Sequence, residues 1–167
     1  MAKKKFLTAA RARKLLAYDP MKGTFIWRVT TSNRRKAGLT AGKIQKRKNT
    51  SHLFIGIDGN RYSAGQLAWL IMTGKWPLKM IDHADRDGLN NRWKNLRLAN
   101  HSQNGINCTP RAEGRVKGYI YDKETGKYWA RSRMNGRQVQ IGSYSNPAAA
   151  QAAHIAWVKK NYGVFAP

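Results

Sequence analysis

Four residues in one part of this chain have the types and the order needed to hydrolyse a phosphodiester. Asp82 and His83 stand side by side, and Asn95 and Asn104 follow them. Asp82 offers a carboxylate oxygen and Asn104 a carbonyl oxygen, and both are hard donors that suit Mg²⁺ or Mn²⁺. Histidine is a common general base, so His83 could take a proton from an attacking water while Asn95 holds the ring in place through a carbonyl. These residues predict a metal-dependent phosphodiesterase site.

The local pattern around these residues predicts a strand, a loop, a second strand and a helix. The second strand covers Asn95–Leu98, and Asn100 or Ser102 caps the helix that carries Asn104. Such a fold returns the helix to the end of the first strand, so we expect Asp82 and Asn104 to face one cavity. An Asp-His pair before a polar loop is also common in ordinary turns. We assign Asp82 to a cation site, whereas the loop residues Asp85 and Asp87 suit Asx turns.

The spacing and its flanking phrases resemble the HNH endonuclease motif in its His-Asn-Asn form. The phrases LAWLIMTGKWP and NNRWKNLRLANHSQN are similar to those of phage-encoded HNH homing-type endonucleases, over roughly residues 10–109. The resemblance implies a ββα-metal fold, Asp82 and Asn104 as metal ligands, His83 as general base and Asn95 as the residue that orients it. Where such relatives usually read Ala-His-Arg, this chain has Gly65 in place of the histidine.

Composition narrows the class of partner. The chain has 32 Lys and Arg against 8 acidic residues, a net charge of +24, and this excess favours double-stranded DNA or another polyanion. Membrane binding would need a basic amphipathic helix, but most basic residues fall on predicted loops and strands. Cys108 is the single cysteine, which argues against a disulfide framework or a cysteine-rich zinc site. With no signal-peptide pattern at the N-terminus, the expected location is the cytoplasm, that of a bacterial host if the chain is phage-encoded.

Residues 1–48 form a basic N-terminal region of the nuclease module, and residues 49–104 form its core. Thr8 predicts the cap of a short helix. The basic segment Thr30–Lys48 is interpreted as a solvated loop or as an arm that tracks the DNA backbone, and both interpretations stay open. Further along, Leu53–Ser63 predicts a hairpin, and Ala64–Thr73 predicts a helix that Gly74 ends.

Residues 105–115 are predicted to be a linker, and residues 116–167 a second module. Three strands at Val116–Tyr121, Tyr128–Met134 and Arg137–Tyr144 precede a helix that Asn146 and Pro147 begin. The phrase KGYIYDKETGKYWARSRMNGRQVQIGSYSNPAAAQAAHIAW resembles the AP2 DNA-binding domain. Strand alternation predicts an open sheet face that reads the major groove. Its DNA-binding residues are Lys117, Tyr119, Trp129, Arg131, Arg133, Gln138 and Gln140.

These observations predict an α+β protein, in which a ββα-metal (HNH) nuclease precedes a small three-stranded antiparallel sheet with one helix. The predicted function is metal-dependent hydrolysis of DNA, either by nicking or by cutting both strands, with site choice aided by the second module. The alternative is a sequence-specific DNA-binding protein whose nuclease site has decayed, and Gly65 keeps that alternative open. An RNA-binding or ribosome-associated protein would explain the charge but not the spacing of Asp82, His83, Asn95 and Asn104. The oligomeric state stays open.

Overall fold

The computed structural model describes residues 7–47, 50–107 and 118–165, and the chain divides into two compact units, Met1–Leu98 and Ala99–Pro167. Both units mix helices with small antiparallel sheets, which confirms the predicted α+β class. Lys117 of the predicted DNA-binding set lies outside the described residues, as does most of the predicted linker. Within the described part of the chain, no helix is long and apolar enough to cross a membrane.

The described residues of the first unit form α-helices and short strands. In chain order these are α1 Ala9–Leu15, β1 Leu16–Asp19, β2 Thr24–Trp27, β3 Lys43–Arg47, β4 Thr50–Ile57, β5 Asn60–Ser63, α2 Ala64–Thr73, β6 Met80–His83 and β7 Leu96–Ala99. The hairpin and the helix predicted between residues 53 and 73 are confirmed. The segment predicted as a loop at Thr30–Lys48 instead contains β3, because its residues pair with β4 from Lys43↔Phe54 to Arg47↔Thr50.

Helix α2 organises the core of this unit. Its buried face carries Leu67, Ala68 and Leu70, which pack with Phe25 of β2 and Ile55 of β4. Ser63 caps the start of the helix by accepting a hydrogen bond from Gln66, and Gly74 ends it in the left-handed conformation. Burial of this apolar face fixes the helix on the β3–β4–β5 sheet, so the segment that follows α2 starts from a defined position.

The β1–β2 hairpin supports the loop between β6 and β7. The Tyr18 hydroxyl donates to the carbonyl of Asn91 at 2.7 Å, and the Trp93 N–H donates to the carbonyl of Pro20 at 2.9 Å. Burial, with a smaller contribution from the charge of Asp19, raises the pKa of Tyr18 to about 12, so the hydroxyl keeps its donor proton. These contacts hold the polar segment before β7 against a rigid element.

The second unit contains a short helix, a three-stranded sheet and a long helix. Its elements are α3 His101–Asn107, β8 Tyr119–Asp122, β9 Lys127–Met134, β10 Arg137–Tyr144 and α4 Pro147–Tyr162. The sheet is antiparallel in the order β10-β9-β8, and α4 begins where Asn146 accepts a hydrogen bond from Ala149. Helix α3 begins at a reciprocal cap between Asn100 and Gln103, which confirms Asn100 as the predicted cap.

The faces of the second sheet differ from the prediction at β8. Tyr119 lies opposite the fully buried Ala130, whereas Ile120 lies opposite Trp129 and is 40% exposed. Residues directly opposite each other share a face, so Tyr119 is on the buried side and Ile120 on the open side. The prediction that Tyr119 is on the open face is therefore wrong, because the strand register places it with the core.

Candidate functional site

Asp82 lies next to the last residue of β6, with its carboxylate buried beside a cation. The strand pairs with β7, and the Nε of Arg97 on β7 lies 2.8 Å from Oδ2 of Asp82. Asp82 is 5% exposed, and a carboxylate removed from water to that extent needs a partner charge. The side chain is thus a fixed anion at the end of the strand, the position that the sequence assigns to a metal ligand.

His83 follows on the same strand and is half-buried. Its Nε2 lies 3.3 Å from Oδ1 of Asn91, which is itself 1% exposed. Asn91 is held through its side-chain donation to the carbonyl of Leu89 and through the bond from Tyr18 to its own carbonyl. The amide that contacts the imidazole is therefore Asn91, fixed from both sides.

Asn95 has a different set of partners from the one predicted. Its Nδ2 donates to Oδ1 of Asp85 at 2.9 Å and to the carbonyl of Asn90 at 2.7 Å, and its Oδ1 accepts from the Asp85 N–H at 3.0 Å. Its backbone carbonyl accepts from Ala84, the residue after His83. Both side-chain N–H groups are used inside the loop, and the backbone bond ties Asn95 to the residue that follows His83.

The loop between β6 and β7 is ordered by its own carboxylates. The Asp85 carboxylate accepts from the N–H of Asp87, and the Asp87 carboxylate accepts from the N–H of Leu89, which confirms the predicted Asx turns. Burial opposes ionisation of Asp85, but the Asp87 N–H, the amides of Asn90 and Asn95 and the nearby His83 outweigh it and hold the pKa of Asp85 below its usual value. Asp85 therefore stays ionised and holds the loop together.

Gly65 has a packing role. It is buried near the start of α2, and a Cβ atom added there would lie 3.0 Å from Cγ2 of Ile81 and 3.6 Å from Oδ1 of Asn91. A side chain at this position would press on β6 and on the amide that contacts His83. The glycine therefore lets α2 approach the strand that carries Asp82 and His83.

Asn104 lies on α3 within the second unit and is half-buried. Its N–H donates to the carbonyl of Asn100 at 2.9 Å, as the first turn of the helix requires. Among residues 7–47, 50–107 and 118–165, no three His, Cys, Asp or Glu side chains cluster as a metal centre. The sequence predicts only two protein ligands, one carboxylate and one amide, which are fewer than the three side chains of such a cluster.

The predicted reading face of the second unit keeps most of its members. Arg131 lies opposite Gln140, and Arg133 lies opposite Gln138, so the four side chains share one face. Trp129 lies on the same side, and its indole N–H donates to Asp122 at 3.2 Å. The face is thus less purely basic than the sequence predicts, because Asp122 lies at its edge.

Three residues near the site were not among those that the sequence assigned to it. Arg97 pairs with Asp82, Asn91 contacts His83, and the ring of His52 on β4 lies 5.9 Å from the ring of His83. Arg97 carries a weak signal, because a charged residue within the apolar run of β7 needs a partner. The sequence carries no such signal for His52 or Asn91, because their places beside His83 depend on how β4 and the β1–β2 hairpin pack.

Comparison with known proteins supports the nuclease interpretation for part of the chain. Residues 62–106 match the model of a family described as HNH endonuclease, which covers less than half of the chain. The matched segment contains β6, β7 and α3 in the order β-β-α, which is consistent with the ββα-metal fold of an HNH domain. No curated protein and no solved structure matches the chain. Residues 62–106 are thus similar to an HNH endonuclease domain.

Proposed function

We propose that this protein is a metal-dependent DNA endonuclease whose site is formed around Asp82 and His83. The observation that carries the proposal is the arrangement at the end of β6, where a buried carboxylate adjoins a half-buried imidazole that Asn91 holds at 3.3 Å. This arrangement lies within the residues that match the HNH endonuclease family.

The residues present suit a divalent ion, because Asp82 and Asn104 supply hard oxygen donors and no soft ligand. Arg97 balances the charge of Asp82, so an ion bound there has to share that carboxylate with the guanidinium. Asp82 and Asn104 are the residues that would hold Mg²⁺ or Mn²⁺, which when bound stabilises negative charge on the leaving oxygen.

The remaining chemistry belongs to side chains of this chain. His83 accepts a proton from water as the water oxygen bonds to phosphorus, and the bond from phosphorus to the leaving sugar oxygen breaks. Asn91 fixes the imidazole, and Asn95 fixes the loop that follows it. The leaving oxygen takes its proton from solvent, so the step needs only water and the DNA strand.

The test is cleavage of supercoiled DNA by wild-type protein and by His83→Ala, in Mg²⁺ and in EDTA. We expect wild-type protein to cut only with the metal and His83→Ala to lose cutting. DNA affinity should stay within about 3-fold, because one imidazole adds little to a contact with many phosphates. His101→Ala, an exposed histidine on α3, is the matched control and should cut normally. Parallel loss of binding and cutting in His83→Ala would contradict the role of general base.

We propose that the open face of the second sheet selects the cleavage site, as an AP2-like domain would. Arg131 and Arg133 can donate in pairs to guanine, and Gln138 and Gln140 can pair with adenine. Arg131→Ala combined with Arg133→Ala should broaden the choice of cleavage sites while the metal requirement stays the same. Lys159→Ala with Lys160→Ala removes the same charge from the exposed end of α4 and should leave site choice intact. If the double arginine variant cut at the same sites as wild-type protein, the open face of the second sheet would not select the cleavage site.

A second candidate is a DNA-binding protein without nuclease activity. The ion pair between Asp82 and Arg97 favours it, because the carboxylate is already neutralised without a metal. The candidate predicts tight binding with no cutting in Mg²⁺ or in Mn²⁺. The same comparison with EDTA therefore separates the two functions.

A further inference from the structure

A second histidine lies beside the candidate general base. His52 comes from β4, yet its ring centroid lies 5.9 Å from that of His83, with the rings tilted by 50°. The strand packs against the loop after β6 so closely that a Cβ atom at Gly88 would collide with the His52 ring and with the Ser51 carbonyl. The approach of the two imidazoles is therefore set by backbone packing.

The strand register shows which face carries His52. Ile55 and Ile57 of β4 are buried in the core, so alternation places His52 on the opposite, outer face of the sheet. Phe54 and Gly56 follow on that outer face. The residues paired with these positions share the face, and they are Gln45 opposite His52, Lys43 opposite Phe54 and Arg61 opposite Gly56.

This outer face is cationic and grooved. A groove of about 500 Å³ is lined by Arg35, Lys43, Phe54 and Arg61, among others, with no acidic residue in its lining. The guanidinium of Arg61 lies over the Phe54 ring at 4.5 Å, which orients its charge at the surface. The acid of the neighbouring turn, Asp58, is paired with Arg11. A row of positive charge without acids suits a phosphate backbone better than a protein partner of mixed charge.

The groove and His52 lie along one continuous strand, β4. From Gly56 to His52, β4 leads from the cationic groove to the ring that adjoins His83. A neutral imidazole keeps one N–H donor and a protonated one has two, so His52 can bind a phosphate oxygen in both states. If His52 served only to pack against Gly88, it would need the volume of its ring but not its N–H donor.

We propose that His52 is a substrate-contacting residue: it binds the DNA phosphate next to the one attacked at His83, where the cationic face of β3–β5 delivers the strand. This inference rests on the proposed endonuclease function and adds to it a residue and a path for the substrate. It places the backbone of the bound strand along the groove of Arg35, Lys43 and Arg61.

The experiment compares three substitutions of His52 by steady-state cleavage. His52→Ala should lower kcat/KM by about 10- to 100-fold, the effect of losing a hydrogen bond to a charged group. His52→Phe keeps a ring of similar size and should fall as far, whereas His52→Asn keeps an N–H donor and should recover part of the loss. Thr50→Ala, exposed on the same strand, should match wild-type protein. Wild-type kcat/KM in His52→Phe would show a packing role and overturn the proposal.

A binding measurement in EDTA tests the path without requiring cleavage. Lys43→Gln with Arg61→Gln should reduce the slope of log affinity against log salt by about 2, because each phosphate contact contributes about 0.9. Lys14→Gln with Lys22→Gln removes the same charge from exposed positions elsewhere and should change the slope less. If the two double variants had equal salt slopes, the proposed path of the DNA along the groove would be overturned. If wild-type protein binds but does not cut in Mg²⁺, the endonuclease proposal fails, and the comparison of slopes still decides whether DNA lies on this face.

Discussion

The Nε of Arg97 lies 2.8 Å from Oδ2 of Asp82, so the predicted metal ligand is already half of a buried ion pair. The two residues come from the paired strands β6 and β7, and the side chains are 6% and 19% exposed for Asp82 and Arg97. The pairing brings each charge to a partner of opposite sign. The ion pair therefore links the stability of the folded site to the binding of a metal cation by Asp82.

Replacing Arg97 by Met should destabilise the protein in EDTA. The carboxylate of Asp82 would stay buried without the guanidinium of Arg97, and loss of one member of a buried ion pair typically costs about 3 kcal/mol in the free energy of unfolding. Urea denaturation measures the change, and added Mg²⁺ should restore more stability to Arg97→Met than to wild-type protein. Arg92→Met, an exposed arginine, is the control. If Arg97→Met with Asp82→Asn is no more stable than Arg97→Met alone, the ion pair is not the cause.

Substitution of Asn91 and of Asn95 by alanine should have different effects on activity and stability. Asn91→Ala removes the amide next to His83 and its bond to the Leu89 carbonyl, but no partner of a backbone N–H, so we expect kcat to fall while the backbone N–H bonds of the β6–β7 loop stay formed. Asn95→Ala removes two donors and one acceptor from that loop, which should cost about 2 kcal/mol of stability. Hydrogen exchange over residues 84–91 separates the two, because only Asn95→Ala should lose protection there. Equal loss of protection in both variants would contradict this division of roles.

Gly65→Ala tests whether the glycine is a packing residue or the trace of a decayed site. The added methyl group would lie 3.0 Å from Ile81, tighter than ordinary contact, and should cost about 1–3 kcal/mol of stability with a loss of cleavage. Thermal unfolding measures the cost, with Gln66→Ala on the exposed side of the same helix as the control. A gain of stability in Gly65→Ala would show that β6 has room for a side chain.

Acid should weaken the loop through Asp85. Its pKa is lower in the folded than in the unfolded chain, so its stabilising contribution is complete above the unfolded pKa of about 4 and disappears as pH falls through the folded value. Asp85→Asn should therefore be less stable than wild-type protein at pH 7, and the difference should shrink below about pH 4. Urea denaturation across that range measures it. A difference that stays constant with pH would exclude the ionised carboxylate as the source.

Local patterns in the sequence were sufficient for most of the elements. Ser63 and Gly74 give α2 its ends, Asp58 and Gly59 give a turn with positive φ angles, and Asn146 begins α4, because capping and turn residues act over a few neighbouring positions. The motif of Asp82, His83, Asn95 and Asn104 pointed to a nuclease, and the family match covers the same segment.

Packing between distant segments decided the rest. The face of Tyr119 follows from the register with β9, which a short strand of mixed residues does not reveal. Arg97 beside Asp82, Asn91 beside His83 and His52 beside His83 all depend on contacts between elements far apart in the chain. The sequence alone determined which chemical groups were available and in what order. The tertiary structure decided which groups became neighbours, because side-chain contacts across elements are set by the burial of the core and carry little local signal.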